Sequence, residues 1–218
     1  MIVEAAIRSI DASGTQGLTM RGLGQQLGVE AMALYRYVTS REDLLEAVVA
    51  TLLDGLPTHL DKDLVTTWQD YLQALAQAVR QIAVEHPAAF PLVATRHPAA
   101  PWLRPPLRSL ELVEEFLTTL GGYGFTDRQV VGTYRAFSSF LLGALLLESA
   151  GRGADTSPVD EPLDEGQSSR PSADAQVDLS NSPTITRLRS LLSEDRSGQE
   201  FESSLTGLID RLEMTLST

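Results

Sequence analysis

The sequence predicts an all-α protein with a small N-terminal three-helix unit and a larger helical body. Three observations support this prediction. Apolar residues recur every three or four positions along most of the chain. Serine or threonine stands where many of these patterns begin, as N-caps do. Glycine or proline follows where they end. We expect one domain over residues 1–56 and a second over residues 57–218.

Composition limits the class of protein. A chain of 218 residues can bury a sizeable core, and its lack of cysteine excludes disulfides and thiolate chemistry. We expect a cytoplasmic protein without a membrane partner. There is no signal-peptide pattern, and the most apolar run, residues 136–147, is too short to cross a bilayer. The formal net charge of -12 argues against non-specific DNA binding by the whole molecule.

Residues 18–45 carry the most informative pattern, that of a helix-turn-helix followed by a supporting helix. Thr19 is a good N-cap, Leu23 and Leu27 lie one turn apart, and Gly28 supplies a left-handed stop. A second short helix is predicted from about Glu30 to Val38. On this second helix Leu34 and Val38 form an inward pair.

The third helix of this unit begins at a predicted capping box. The box spans Ser40 to Asp43, and Gly55 and Pro57 mark the end of the helix. Between them, helical spacing relates the apolar residues Leu44, Leu45, Val48, Val49, Leu52 and Leu53. This pattern predicts a helix that packs against the other two.

The outer surface of the second short helix suits a DNA groove. Ala31, Met32, Tyr35 and Arg36 project from it. A helix of this length fits the major groove, where Arg21 and Arg36 could each contact guanine in a bidentate way. Tyr35 and Met32 could reach a thymine methyl group.

Three further residues sit at helix ends, where hydroxyls and cations usually meet phosphates: Thr19, Tyr37 and Arg41. The segment 19–41 is locally positive, although acidic residues outnumber arginines over the first 55 residues. Spacing alone leaves a second interpretation open, in which these are simply packed helices of a helical domain.

Residues 2–55 resemble the N-terminal domain of the TetR (tetracycline repressor) family of transcriptional regulators. The motifs that carry the resemblance are GLTMRGLGQQLGV, ALYRYV and SREDLLEAV. It implies that the second short helix, from about Glu30 to Val38, lies in the major groove of a palindromic double-stranded operator. By position, it implies base contacts from Arg21, Ala31, Met32, Tyr35 and Arg36 and phosphate contacts from Thr19, Tyr37 and Arg41. The chain departs from the family pattern at Ala31, where a polar residue is common, and in having no basic arm before the first helix.

Longer helices are predicted after Pro57. A capping box at Thr67–Asp70 opens a helix that ends at His86-Pro87. A short helical segment at 88–94 and an irregular piece at 95–106 follow. The next predicted helix starts at Pro105-Pro106 and ends at Leu120, before Gly121-Gly122. Thr126 with Gln129 then opens a long helix over 127–150.

The long helix is apolar over much of its circumference. Val130, Tyr134, Phe137, Leu141 and Leu145 form one stripe, and Phe140, Leu142 and Leu146 lie outside it. Such a helix is buried on two sides. We expect one side to face its own core and the other to face a second subunit.

Residues 151–182 are rich in acids, Pro, Ser and Gly, which predicts a disordered acidic loop. Two helices follow, from Ser182-Pro183 to about Leu192 and from Gln199 to Leu216. The segments WQDYLQAL, LVATRHP, GFTDRQVV, FLLGALLLE and FESSLTGLIDRLE resemble the tetracycline-repressor type of C-terminal domain. This resemblance implies a homodimer built on the long and last helices, and a pocket for a small-molecule inducer.

Candidate pocket residues cluster near the irregular piece and the long helix: His86, Phe90, Thr95, Arg96, His97, Trp102, Arg104, Tyr134 and Phe137. Each of them could instead be a core or helix-end residue. Tetracycline repressors hold magnesium-tetracycline with a histidine and a glutamate, but those positions fall near the apolar Val93 and Leu147. We therefore expect no metal, no cofactor and a largely apolar or aromatic inducer.

Three functions follow, in order of preference. The first is a ligand-responsive transcriptional regulator, most simply a homodimeric repressor. The second is a TetR-like interaction protein that has lost specific DNA binding. The third is a helical enzyme, which is disfavoured because the histidines are scattered and no HExxH or Gly-rich phosphate loop is present.

Overall fold

The computed structural model describes residues 1–54, 56, 65–95, 97–154 and 182–216. Every regular element in these residues is helical, which confirms the all-α prediction. The helices are α1 (Ile2–Gly17), α2 (Met20–Leu27), α3 (Ala31–Leu34), α4 (Arg41–Leu53), α5 (Trp68–Glu85), α6 (Leu110–Gly122), α7 (Asp127–Gly151), α8 (Pro183–Leu192) and α9 (Ser197–Leu216). A short 3-10 turn covers Phe90–Leu92.

Helices α1–α4 form a head in which α1 packs against α2 and α4, and α2 packs against α3. Its core is apolar and includes Ala6, Ile10, Leu23, Leu34, Leu44 and Val48. The predicted inward pair, Leu34 and Val38, is buried. Ser40 caps α4 by accepting a hydrogen bond from the Asp43 N–H at 3.0 Å, whereas the Asp43 carboxylate accepts one from the hydroxyl of Thr39.

The second short helix is shorter than the sequence predicts. It ends at Leu34 rather than Val38, and the chain continues in tight turns. The Tyr37 N–H donates to the Leu34 carbonyl at 2.9 Å, a three-residue spacing that winds more tightly than an α-helix. The predicted reading surface is therefore one helical turn followed by a tight turn.

Helices α5–α9 form the body. The capping box predicted at Thr67 and Asp70 is present, and α5 ends at Glu85 before His86, as expected. The prediction that α6 begins at Pro105-Pro106 is wrong, because α6 begins at Leu110 after the N-cap Ser109. The Ser109 hydroxyl accepts a hydrogen bond from the Leu112 N–H at 3.2 Å, which supplies the cap that the prolines do not. The helical segment expected at 88–94 is reduced to the 3-10 turn.

Helix α7 is the central element of the body. It packs against α5, α6, α9 and the 3-10 turn, and the capping box at Thr126 and Gln129 is present. Phe140, expected to lie outside the stripe, stacks on Phe201 of α9 with ring centroids 5.6 Å apart. Leu142 is buried, so part of the second apolar side is covered within the chain.

Among the described residues, α7 alone is long and apolar enough to cross a membrane, because the helix extends beyond the run at 136–147. Its apolar window is 44% buried inside the protein. Since α7 packs on three other helices of the body, we assign it to the core.

The last two helices differ in burial. Helix α9 packs on α7 and α5 and buries Phe201, Leu205, Leu208 and Ile209. Helix α8 has no buried residue, and Ile185, Leu191 and Leu192 are exposed. Most of the predicted acidic loop, residues 155–181, and the predicted stops Gly55 and Pro57 lie outside the described residues.

Candidate nucleic-acid interface and apolar cavity

A tight glycine turn joins α2 to α3. Gly28 has a φ of 68°, the left-handed conformation that glycine adopts without strain. The Val29 N–H donates to the Gly24 carbonyl at 2.9 Å. A Cβ atom on Gly24 would stand 2.8 Å from the Val29 carbonyl oxygen and 3.1 Å from the Ala31 nitrogen. The two helices are therefore packed too closely for any larger side chain at Gly24.

The surface beside this turn exposes cations and large apolar groups. Met32, Tyr35 and Tyr37 are 72%, 43% and 77% exposed. Arg21 and Arg36 are exposed, and within the described part of the chain neither guanidinium has an ion-pair partner. The structure therefore brings four of the five predicted base-contacting residues to the solvent, and Ala31 is half-buried at the start of α3.

Two of the predicted phosphate-contacting residues, Thr19 and Arg41, form local hydrogen bonds. The Thr19 hydroxyl caps α2 by accepting a hydrogen bond from the Gly22 N–H at 3.0 Å. Arg41 is exposed, and its Nη2 donates to the Thr15 carbonyl at 2.8 Å. One of the five guanidinium donors of Arg41 is thus used to tie α4 to the end of α1.

The body contains an almost wholly apolar cavity of about 30 Å³. Its walls come from α5, the 3-10 region, α6 and α7, and are formed by Leu75, Val79, Val93, Leu107, Leu112, Val113, Phe116, Tyr134, Phe137, Ser138, Leu141 and Leu142. Tyr134 and Phe137 were expected at such a site. Most of the others are core positions of α5, α6 and α7, whereas Val93 and Leu107 lie between helices.

The remaining predicted pocket residues that the structure describes do not line this cavity. His86 forms the C-cap of α5, and its Nδ1 lies 2.9 Å from an Asp11 carboxylate oxygen. Phe90 is fully buried in the core. Trp102 is 74% exposed, and Arg104 donates from Nη1 to the carbonyls of Pro101 and Leu103.

Three further predicted pocket residues are consecutive in the sequence, at positions 95–97. Thr95 donates to the Leu92 carbonyl at 2.6 Å. The Nδ1 of His97 accepts a hydrogen bond from the Ala99 N–H at 3.0 Å. Arg96 lies outside the described residues.

The polar groups of the cavity are hydroxyls. Tyr134 donates from its hydroxyl to the Pro105 carbonyl at 3.0 Å. Burial raises the pKa of Tyr134 to about 12, with an opposing contribution from a hydrogen bond to Ser138, so the phenol is neutral at physiological pH. The cavity can therefore accept neutral apolar groups and offers them few hydrogen bonds.

The positions considered for a metal do not meet in this cavity. Val93 lines it, whereas Leu147 is 76% exposed. The neighbouring Glu148 is bound by Arg80 and Arg152 at 2.8 and 3.0 Å. In the described part of the chain no group of three metal-ligating side chains is present.

A head with a helix-turn-helix and an exposed basic surface, attached to a helical body with an apolar cavity, defines the class of helix-turn-helix transcriptional regulators. Residues 2–48 match the family described as bacterial regulatory proteins, tetR family. Residues 62–216 match the tetracyclin repressor-like C-terminal domain. The chain belongs to the TetR family of transcriptional regulators, which bind DNA and small-molecule ligands and are typically dimeric.

Individual relatives agree with this assignment. A helix-turn-helix transcriptional regulator of Saccharopolyspora erythraea is 28% identical over 164 residues, which are 75% of this chain and 66% of that protein. The class D tetracycline repressor of Escherichia coli is 27% identical over 221 residues, covering 99% of this chain and 89% of that protein. A crystal structure of a possible TetR family regulator from Streptomyces coelicolor A3(2) has a TM-score of 0.73 and 25% identity over 98% of both chains.

Proposed function

We propose that the protein is a cytoplasmic, homodimeric transcriptional repressor that binds a palindromic operator and is released by a small, largely apolar inducer. The observation that carries the proposal is the surface formed by α2, α3 and the turn after α3. It exposes Met32 and Tyr35 together with Arg21 and Arg36, and neither arginine has an ion-pair partner among the described residues. A guanidinium can make two hydrogen bonds to guanine, and an apolar side chain can contact the thymine methyl group.

The rest of the head sets the strength of binding. Thr19, Tyr37 and Arg41 are exposed at helix ends, where they are suited to phosphates. Acidic residues elsewhere in the head weaken the attraction of the whole domain to DNA. We therefore expect weak background binding and a steep loss of affinity as salt rises.

The size of the cavity determines how an inducer could act. At about 30 Å³ it is far smaller than the roughly 300–1,000 Å³ of ordinary small-molecule sites. A compound that binds there must expand the cavity, and it therefore binds an open state better than the closed one. That difference in affinity is what a ligand needs to shift a conformational equilibrium.

A second copy of the chain is the partner that the exposed apolar groups of the body suit. Leu147 on α7 is 76% exposed, and α8 exposes Ile185, Leu191 and Leu192. Burying these side chains against a twin would remove apolar surface from water. The dimer would then place its two heads about 34–36 Å apart, on successive major grooves.

A second candidate is an interaction protein that has lost specific DNA binding. The excess of acidic residues over arginines in the first 55 residues favours it. It predicts that the exposed surface of α3 contributes nothing to DNA affinity.

Selection of duplexes from a random pool by the purified protein tests the proposal. Enrichment of a two-fold symmetric sequence, bound by a species that sediments as a dimer, supports it. A pool that shows no enriched sequence after repeated rounds contradicts the operator-binding role and favours the interaction protein.

A further inference from the structure

Arg108 is adjacent in the chain to a residue of the cavity wall. It follows Leu107, which lines the cavity, and it precedes α6. Its backbone N–H donates to the carbonyl of Val93, another lining residue, at 3.0 Å. The position of the Arg108 backbone is therefore tied to the shape of the cavity.

The side chain of Arg108 reaches the head. It is 6% exposed, and its Nη2 donates to the Glu42 carboxylate at 2.7 Å and lies 3.9 Å from that of Glu46. Both glutamates belong to α4, with Glu42 in the first turn. Nη1 donates to the Thr95 hydroxyl at 3.2 Å. A buried guanidinium thus joins the cavity wall to a helix of the head.

One donor of this guanidinium is unused. Arg108 Nε is buried and has no hydrogen-bond partner among the described residues. Buried polar groups are normally satisfied, and exceptions call for an explanation. The guanidinium is therefore incompletely satisfied in this arrangement, and among the described residues its hold on α4 rests on Nη2 alone.

The other end of the same segment is held by Tyr134. Its hydroxyl on α7 binds the Pro105 carbonyl at 3.0 Å, and its ring lines the cavity. A compound that enlarges the cavity must displace lining groups such as Tyr134 and Leu107. Displacement of either residue would move the segment 105–108. The Arg108 side chain in this segment is hydrogen-bonded to Glu42 on α4.

We propose that Arg108 is the positioning residue through which opening of the cavity changes the placement of the DNA-reading head. This inference rests on the proposed function. While the cavity is closed, the ion pair with Glu42 holds α4, and α2 and α3 through the head core, in the DNA-binding arrangement. When the cavity opens, the segment 105–108 moves and the ion pair is released, so DNA affinity falls.

A double-mutant cycle tests this inference without knowledge of the inducer. The variants are Tyr134→Phe, Arg108→Met and their combination, with operator affinity measured by fluorescence anisotropy well below the melting temperature. Tyr134→Phe frees the wall by removing its hydrogen bond to Pro105. We expect it to weaken operator binding about fivefold in the wild-type background and to have almost no effect when Arg108 is already Met.

Two controls separate coupling from general destabilisation. Arg80→Met removes another ion-paired arginine of the body, whose partner Glu148 is not in the head, and should lower the melting temperature without changing operator affinity. Arg108→Lys retains a cation near Glu42 and should restore part of the coupling.

The outcomes distinguish the inference from the function on which it rests. Independent, additive effects of the Tyr134 and Arg108 variants, or an Arg80→Met effect on affinity as large as that of Arg108→Met, overturn the role of Arg108. A wild-type protein that binds operator and scrambled duplexes equally overturns the proposed function, and the inference with it.

Discussion

The guanidinium of Arg80 on α5 makes two hydrogen bonds, of 3.0 and 2.8 Å, to the carboxylate of Glu148 on α7. The Glu148 side chain is 6% exposed and also accepts a hydrogen bond from Arg152 at 3.0 Å. Arg80 lies over the ring of Phe201 on α9, 5.4 Å from its centroid. One arginine therefore connects three helices of the body.

Removal of Arg80 should destabilise the protein. We expect Arg80→Met to lower the free energy of unfolding by about 2 kcal/mol, because it leaves the buried carboxylate of Glu148 with Arg152 as its remaining partner. The double variant Arg80→Met/Glu148→Met should cost less than the single one, since no buried charge is left unpaired. Urea unfolding followed by circular dichroism measures both. A double variant less stable than the single one would show that the contact does not depend on charge burial.

The turn between α2 and α3 should not tolerate a methyl group at Gly24. Gly24→Ala places a Cβ 2.8 Å from the Val29 carbonyl, and overpacking of this kind costs about 1–3 kcal/mol. We expect lower thermal stability together with weaker operator binding, because α3 would be displaced.

Gly132→Ala is the matched control for this variant. An added Cβ on Gly132 meets nothing within 4 Å, and glycine-to-alanine changes in a helix usually stabilise by about 1 kcal/mol. Equal effects of the two substitutions on stability would contradict the close approach of α2 and α3.

Glu115 on α6 should make stability depend on pH in an unusual direction. Burial raises the pKa of its carboxyl, with a further contribution from the charge of Glu111. A raised folded-state pKa means that protonation favours the folded state. The stabilisation is complete below the ordinary glutamate pKa and is lost as pH rises through the raised value.

Replacement of Glu115 by glutamine mimics the protonated form. We expect Glu115→Gln to raise the melting temperature at pH 7 and to leave it unchanged near pH 4, as measured by differential scanning calorimetry. Glu114→Gln, on the exposed side of the same helix, removes the same charge and is the control. A larger gain for Glu115→Gln at acid pH than at neutral pH would contradict the assigned direction.

The helix starts that depend on local chemistry could be predicted from the sequence. Thr19, Thr67 and Thr126 each accept a hydrogen bond from a backbone N–H three residues ahead, and that information lies within one turn of chain. The start of α6 could not be predicted, because Pro105 satisfies the local rule for a first helical residue. Its carbonyl is instead bound by Tyr134, which is remote in sequence.

The two candidate sites also differ in how far local sequence could predict them. The exposed residues of α2 and α3 come from one short segment with recognisable motifs, so they could be named from the sequence. The cavity is assembled from α5, α6, α7 and the segment after α5, and its composition depends on how these helices pack. The sequence predicted that charged and aromatic residues of the irregular segment line the pocket. Of these, Trp102 and Arg104 are exposed and lie outside the cavity wall.

The central claim is that the exposed surface formed by α3 and the turn after it, which carries Arg36, reads DNA sequence. The most direct test is fluorescence anisotropy on DNA from upstream of the coding sequence and on a scrambled duplex, at low and moderate salt, for wild type, Arg36→Ala and Arg8→Ala. Arg8 is exposed on α1, so its replacement removes the same charge from the head without touching α2 or α3. We predict that wild type and Arg8→Ala prefer the upstream DNA and that Arg36→Ala loses the preference, a difference of about 1–3 kcal/mol. The claim would be contradicted if wild type bound both duplexes equally, or if Arg36→Ala and Arg8→Ala lost the preference for the upstream DNA to the same extent.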